Sequence, residues 1–121
     1  MIAEKLKIID LVKELIKSID KYLINFPNKE RELKSKIVSS AYELLLISYE
    51  ANSTLNNKKK LDFQEKGVAL IKFLDFLFNV CYEKQIINSK RYFKFGESLD
   101  GILKYYSGWI NATKKELGNK P

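Results

Sequence analysis

The chain has 121 residues, 45% of them apolar and 12% aromatic, and 22 basic residues against 15 acidic ones set its net charge at +7. That composition excludes a disordered chain and supplies one hydrophobic core, so a single domain over residues 1–121 is expected. One cysteine and no histidine exclude an internal disulfide, the usual thiolate and imidazole metal sites, and Ser-His or Cys-His nucleophile pairs.

The opening stretch, Met1 to Lys7, has no basic region followed by an apolar run. No later segment reaches the ~20 apolar residues of a membrane span, so a soluble cytoplasmic protein with no membrane partner is expected. Apolar residues at 2, 6, 9, 12, 16, 19 and 23 recur at helical spacing until Asn25-Phe-Pro-Asn28. This predicts helix 1 over about 3–25, closed by proline. The pattern resumes at 33, 37, 41, 44, 48, 51 and 55, predicting helix 2 over about 29–55. It stops at Ser53-Thr-Leu-Asn-Asn57 and the run Lys58, Lys59, Lys60.

Helix 3 is expected over about 60–87, with one stripe from Phe63 through Gly67, Leu70, Leu74 and Leu77 to Cys81 and a second at Ala69, Phe73, Phe76 and Val80. Between Ala69 and Tyr82 only Lys72, Asp75 and Asn79 are polar, one narrow strip on a helix otherwise apolar all round, so much of it should be covered. Asn88-Ser89 reads as the cap of helix 4, expected over about 89–113, with a stripe at Tyr92, Gly96, Leu99, Leu103, Tyr106 and Ile110. The only prolines are Pro27 and Pro121, so long helices are allowed. Four helices joined by short turns predict an all-α, antiparallel up-down-up-down four-helix bundle.

Helices 1 and 2 carry second stripes as well, Ile8-Leu11-Leu15-Tyr22 and Val38-Tyr42-Leu45-Tyr49. This surplus predicts self-association into a homo-oligomer, the alternative being that the four helices use the whole surface among themselves. Gly101 and Gly108 are seven apart on nearly one face of helix 4, next to Trp109. Each glycine costs ~1 kcal/mol against alanine inside a helix, which marks these residues as candidate helix or oligomer contacts. The alternative is that Gly108 begins a left-handed helix end while Gly101 tolerates a crowded core.

Cys81 lies on an apolar stripe, as a buried thiol would. No glycine-rich phosphate loop occurs, and Glu30/Lys34 and Glu32/Lys36 are ordinary helical pairs. Catalysis, a bound metal and a cofactor are therefore not expected. Charge placement is more informative. In the expected topology the first and third turns share an end, which gathers Lys29, Arg31, Lys34, Lys36, Lys90, Arg91 and Lys94; Lys58, Lys59 and Lys60 mark the other end. Cations at the starts of helices 2, 3 and 4 oppose the helix dipole, and bound phosphate would reverse that penalty; solvated helix ends are the alternative. Lysine outnumbers arginine throughout, which favours point-charge contact to a phosphate backbone over base-specific reading.

Two stretches resemble a known family. Asn25-Phe-Pro-Asn-Lys-Glu-Arg31 with Leu44-Leu-Leu-Ile-Ser-Tyr-Glu-Ala-Asn52, and the tail from Ser89-Lys-Arg-Tyr-Phe-Lys-Phe-Gly to Tyr106-Ser-Gly-Trp-Ile110, are similar to the accessory variability determinant (Avd) proteins of diversity-generating retroelements. The proteins encoded in ribosomal RNA intervening sequences share the four-helix design. The resemblance implies a four-helix protomer in a ring-like homopentamer with a basic surface. It further implies binding to RNA or DNA and to the retroelement's reverse transcriptase, in support of mutagenic complementary-DNA synthesis. No catalytic residues come with the family. A structural adaptor of the ribosomal-insert type, binding a protein partner, is the other expectation.

Overall fold

The computed structural model describes residues 2–118, with side chains from Lys7 onward. Ile2 and Leu6 of the expected first stripe, and Pro121, lie outside the described side chains. Four helices follow in chain order: α1 (Ile2–Tyr22), α2 (Arg31–Ser53), α3 (Asn57–Glu83) and α4 (Ser89–Gly118), with a short 3-10 turn at Asn28–Glu30 before α2. Among the described residues there is no strand. Each helix packs against its chain neighbours, and α1 closes on α4, while the diagonal pairs α1/α3 and α2/α4 stay apart. This all-helical arrangement is consistent with a four-helix bundle.

The boundaries differ from the sequence expectation for local reasons. α1 stops at Tyr22 rather than 25, and the chain then bends and turns over residues 23–25 before Pro27, which is extended at φ −61°, ψ 136°. The expected start of helix 2 at 29 falls in the 3-10 turn. The lysine run does not interrupt the chain between helices. Asn56 accepts a hydrogen bond at 3.1 Å from the Lys59 backbone N–H, capping α3 so that Lys58, Lys59 and Lys60 form its first turn. α4 continues to Gly118 instead of ending near 113, and no described glycine has positive φ. Gly108 therefore does not act as a left-handed cap.

α3 ends at Glu83, four residues earlier than the apolar pattern suggests. The Ile86 N–H donates to the Cys81 carbonyl at 2.8 Å and the Gln85 N–H to the Tyr82 carbonyl at 3.0 Å, the paired bonds of a Schellman ending. Gln85 holds the left-handed position at φ 62°, where a side chain costs roughly 1 kcal/mol that glycine avoids. Gln85→Gly is expected to stabilise the protein by about 1 kcal/mol, raising the thermal midpoint by about 4 °C; an unchanged or lower midpoint in a calorimetric melt would contradict this.

The core runs the length of the four helices, from Ile8, Val12 and Leu15 on α1 to Ile37, Ala41 and Leu44 on α2, Ile71, Leu74 and Phe78 on α3, and Phe95, Leu99 and Ile102 on α4. Ile8 and Leu15 of the second stripe expected on helix 1 are buried inside the chain and Leu11 is half-buried, while Tyr22 at its end is exposed. On α4 the buried line is Phe95, Leu99, Ile102, Tyr106, Trp109 and Thr113, whereas Tyr92, Gly96, Leu103 and Ile110 are only half-buried. Phe95 stacks on Phe78 with ring centres 4.1 Å apart, and an aromatic pair of that kind draws the helix face toward α3.

One polar device crosses the core. Tyr106 on α4 is fully buried and its hydroxyl lies 2.6 Å from that of Ser48 on α2, which bonds the Leu44 carbonyl at 2.7 Å. Ser48 has one proton, spent on Leu44, so the Tyr106 O–H donates to Ser48. The ring reaches across the diagonal only because α3 presents Gly67 beneath it. A β-carbon there would sit 2.5 Å from Tyr106 Cε1. Gly101 is the opposite case, with nothing within 4 Å of the corresponding point. Within the chain the close-approach glycine is therefore Gly67, not Gly101.

Burial pushes the Tyr106 phenol up to about 12, opposed weakly by its bond to Ser48. The folded value lies above the unfolded one near 10, so this group's contribution is complete below pH ~10 and is lost as pH rises towards 12. That loss amounts to roughly 2–3 kcal/mol. Tyr106→Phe is expected to be less stable at pH 7 by about 1 kcal/mol, for the lost hydrogen bond. It should also show a shallower decline between pH 10 and 12 in urea titrations; parallel declines for the two proteins would count against the assignment.

Candidate nucleic-acid interface

The tips of all four helices at one end are joined by specific contacts. Lys84, just after α3, pairs with Glu30 of the 3-10 turn at 3.1 Å. Arg91 in the first turn of α4 lays its guanidinium over the Tyr22 ring at the end of α1, 3.3 Å from the ring centre. Tyr82 near the end of α3 stacks on Tyr92 at 5.0 Å, and the Asn79 amide donates to the Tyr92 hydroxyl at 3.1 Å. The turn into α4 is set by Asn88, whose Oδ1 accepts from the Arg91 N–H at 2.8 Å.

These contacts bring the cations of the first and third turns together. Lys29, Arg31, Lys36, Lys90 and Lys94 are exposed at this end, joined by Lys21 and Lys84, while Lys34 and Arg91 are half-buried. Lys94 pairs weakly with Glu97 at 3.9 Å, both groups more than half exposed. The second basic group, at the start of α3, lies about 40 Å away along that helix. There Lys58 and Lys59 are exposed and Lys60 is half-buried. The Asn57 amide donates to Glu116 at 3.0 Å, tying the start of α3 to the end of α4.

Tyr22 was not singled out by its residue type, since it reads as part of an apolar stripe. It is 41% exposed, and Lys21 and Arg91 beside it hold its hydroxyl below the ordinary phenol range. The Lys21 hydrogen bond is the largest cause, followed by the charges of Lys21 and Arg91. Two cations against one exposed ring, Lys21 at 5.1 Å and Arg91 at 3.3 Å, make the local charge positive, the kind that collects anions.

No known protein family, curated protein or solved structure matches this chain.

The expected contact residues fall into different environments. Ala69, Phe73 and Phe76 are exposed on α3 and Val80 is half-buried, while Gly101 is half-buried and Gly108 exposed on α4. Trp109 is 1% exposed and packs on Tyr106 with ring centres 5.6 Å apart, so it belongs to the core of one chain. Tyr42 and Leu46 on α2 are also exposed. Leu46, Ala69 and Phe73 share a cleft of ≈580 Å³ with Glu43, Glu50 and Lys66 at its edge. This leaves an apolar face between α2 and α3 distinct from the basic tips.

Cys81 is fully buried, and burial, with the nearby Glu30 charge second, raises its thiol to about 11. It is not in a state to act as a nucleophile at neutral pH. Among the described residues no group of His, Cys, Asp or Glu could hold a metal ion, and no helix is long and apolar enough to cross a membrane.

Proposed function

We propose that this chain is a non-enzymatic accessory protein that binds the phosphate backbone of RNA or DNA through its basic tips. On its resemblance to the Avd proteins, it serves a diversity-generating retroelement in the cytoplasm by bringing nucleic acid to the reverse transcriptase. The observation that carries this reading is the gathering of exposed Lys21, Lys29, Arg31, Lys84, Lys90 and Lys94 from four chain segments at one end. The links from α1 to α4, and from the ends of α3 to opposite ends of α4, support an antiparallel order of helices. The exposed α2/α3 face supports assembly of copies into a ring, with five as the family's number.

The test is retention on polynucleotide. The protein should bind at ~50 mM salt and release steeply by ~200 mM, as counterion displacement requires. Affinity that does not change over that interval would overturn the proposal. The exposed apolar face of Tyr42, Leu46, Phe73 and Phe76 favours a second reading, an adaptor of the ribosomal-insert type that docks another protein. Salt-insensitive capture of a protein partner, with no bound nucleic acid, would favour it.

A further inference from the structure

The Tyr22–Arg91 stack is a wall between two clefts at the basic end. One, of ≈440 Å³, is lined by Ser18, Lys94, Phe95, Glu97 and Ser98 beyond the shared pair. The other, of ≈340 Å³, is lined by Tyr22, Ile86, Ile87, Asn88, Lys90 and Arg91. They differ in one decisive respect: the first contains a carboxylate, Glu97, and the second contains none. The second cleft therefore combines apolar isoleucine side chains, an aromatic ring with an open edge, an amide and two cations, with nothing to repel an anion.

We propose that this second cleft seats a base of single-stranded nucleic acid, packed against the Tyr22–Arg91 stack, while Lys21 and Lys90 hold the flanking phosphates. The inference rests on the backbone-binding reading above and narrows its substrate to unpaired strands. Bases of a duplex are stacked on one another and cannot enter a cleft, whereas unpaired bases stack on aromatic rings and guanidinium planes irrespective of sequence. Arg91 is suited to that role because its charge is not spent on a carboxylate among the described residues; its plane is instead held flat on Tyr22 at 3.3 Å. The geometry is maintained from behind, since Phe95 lies 5.9 Å from the same guanidinium and itself stacks on Phe78. Phe93, one turn from Lys90 and 66% exposed, offers a further ring for a neighbouring base on the outer face of α4.

Fluorescence anisotropy of the full chain with labelled oligothymidylate, an abasic deoxyribose-phosphate strand of the same length, and a duplex decides the matter at one low salt concentration. Oligothymidylate is expected to bind roughly tenfold tighter than the abasic strand, the size of one base–aromatic stack, and tighter than the duplex. Tyr22→Leu should erase the advantage over the abasic strand, and Tyr22→Phe should retain it. Equal binding of base-bearing and abasic strands, or preference for the duplex, overturns the inference and leaves backbone binding standing. Binding to none of the three overturns both. Should Tyr22→Leu fail to fold, photo-cross-linking of the unaltered protein to an iodouracil-bearing strand serves instead: adducts at Tyr22 support the inference, and adducts confined to residues outside the cleft overturn it.

Discussion

Replacing Gly67 with leucine is expected to cost at least ~3 kcal/mol, a large fraction of the ~5–15 kcal/mol that holds a domain of this kind folded. A β-carbon at this position meets Tyr106 Cε1 at 2.5 Å and Cζ and Oη at 2.6 Å. A tyrosine on a surface could swing aside, but this one is fully buried, hydrogen-bonded to Ser48 and packed on Trp109. Moving it would abandon the hydroxyl bond and disturb the largest side chain of the core. Alanine at 67 gains ~1 kcal/mol of helix propensity and still meets the ring, so a net loss of about 1–2 kcal/mol is expected. Gly101→Leu is the internal control, because that point faces open space within the chain. Its unfolding free energy in urea titration should change by less than ~1 kcal/mol, and any loss of assembly in sedimentation would then report a neighbouring copy. Equal destabilisation by both leucines would refute the account of Gly67.

Reversing four charges at the basic end, Lys21, Lys29, Lys90 and Lys94 to glutamate, is expected to lower polynucleotide affinity by about 100-fold or more at low salt. Each abolished phosphate contact should also flatten the dependence of log affinity on log salt by ~0.7 for a single strand or ~0.9 for a duplex. All four side chains are exposed, and the one ion pair lost among the described residues, that of Lys94 with Glu97, is a surface pair worth little, so the melting curve should be nearly unchanged. A matched reversal of Lys72 and Lys104, exposed on the middle stretches of α3 and α4, separates placement from net charge. If the middle reversals weaken binding as much per charge as those at the end, the tip is not the interface and only long-range attraction is at work.

The α2/α3 face has a different chemistry and predicts a different behaviour. Leu46 and Phe73 line its cleft with the acidic Glu43 and Glu50 and the basic Lys66, and Tyr42 and Phe76 are exposed on the same two helices. Such a mixture of apolar centre and paired charge suits a protein surface better than a phosphate backbone. On the proposed function, partition of the molecule into basic tips and an apolar flank would let one copy hold nucleic acid and a protein neighbour at once.

Much of this organisation is legible in one dimension because helices convert spacing into direction. Of the α2 stripe expected at 33, 37, 41, 44, 48, 51 and 55, the positions from 37 to 51 are buried, while Leu33 is half-buried and Leu55, beyond the helix end, is exposed; Asn88 caps α4 as its residue type suggests. The gathering of cations follows from counting turns. Other features depend on what one helix meets in another. Gly67 looked like any stripe position, and Gly101 and Gly108 looked more telling, until the ring of Tyr106 was placed over the first and open space beside Gly101. The end of α3 hides behind a glutamine in a left-handed position where glycine would have announced it. Tyr22 has the composition of a core residue and the location of a surface one, exposed between Lys21 and Arg91. Periodicity along a chain reports which face of a helix avoids water, because burial is a property of each side chain; it carries no information on which residues of two distant segments touch, because that depends on the rotation and offset of helices brought together only by folding.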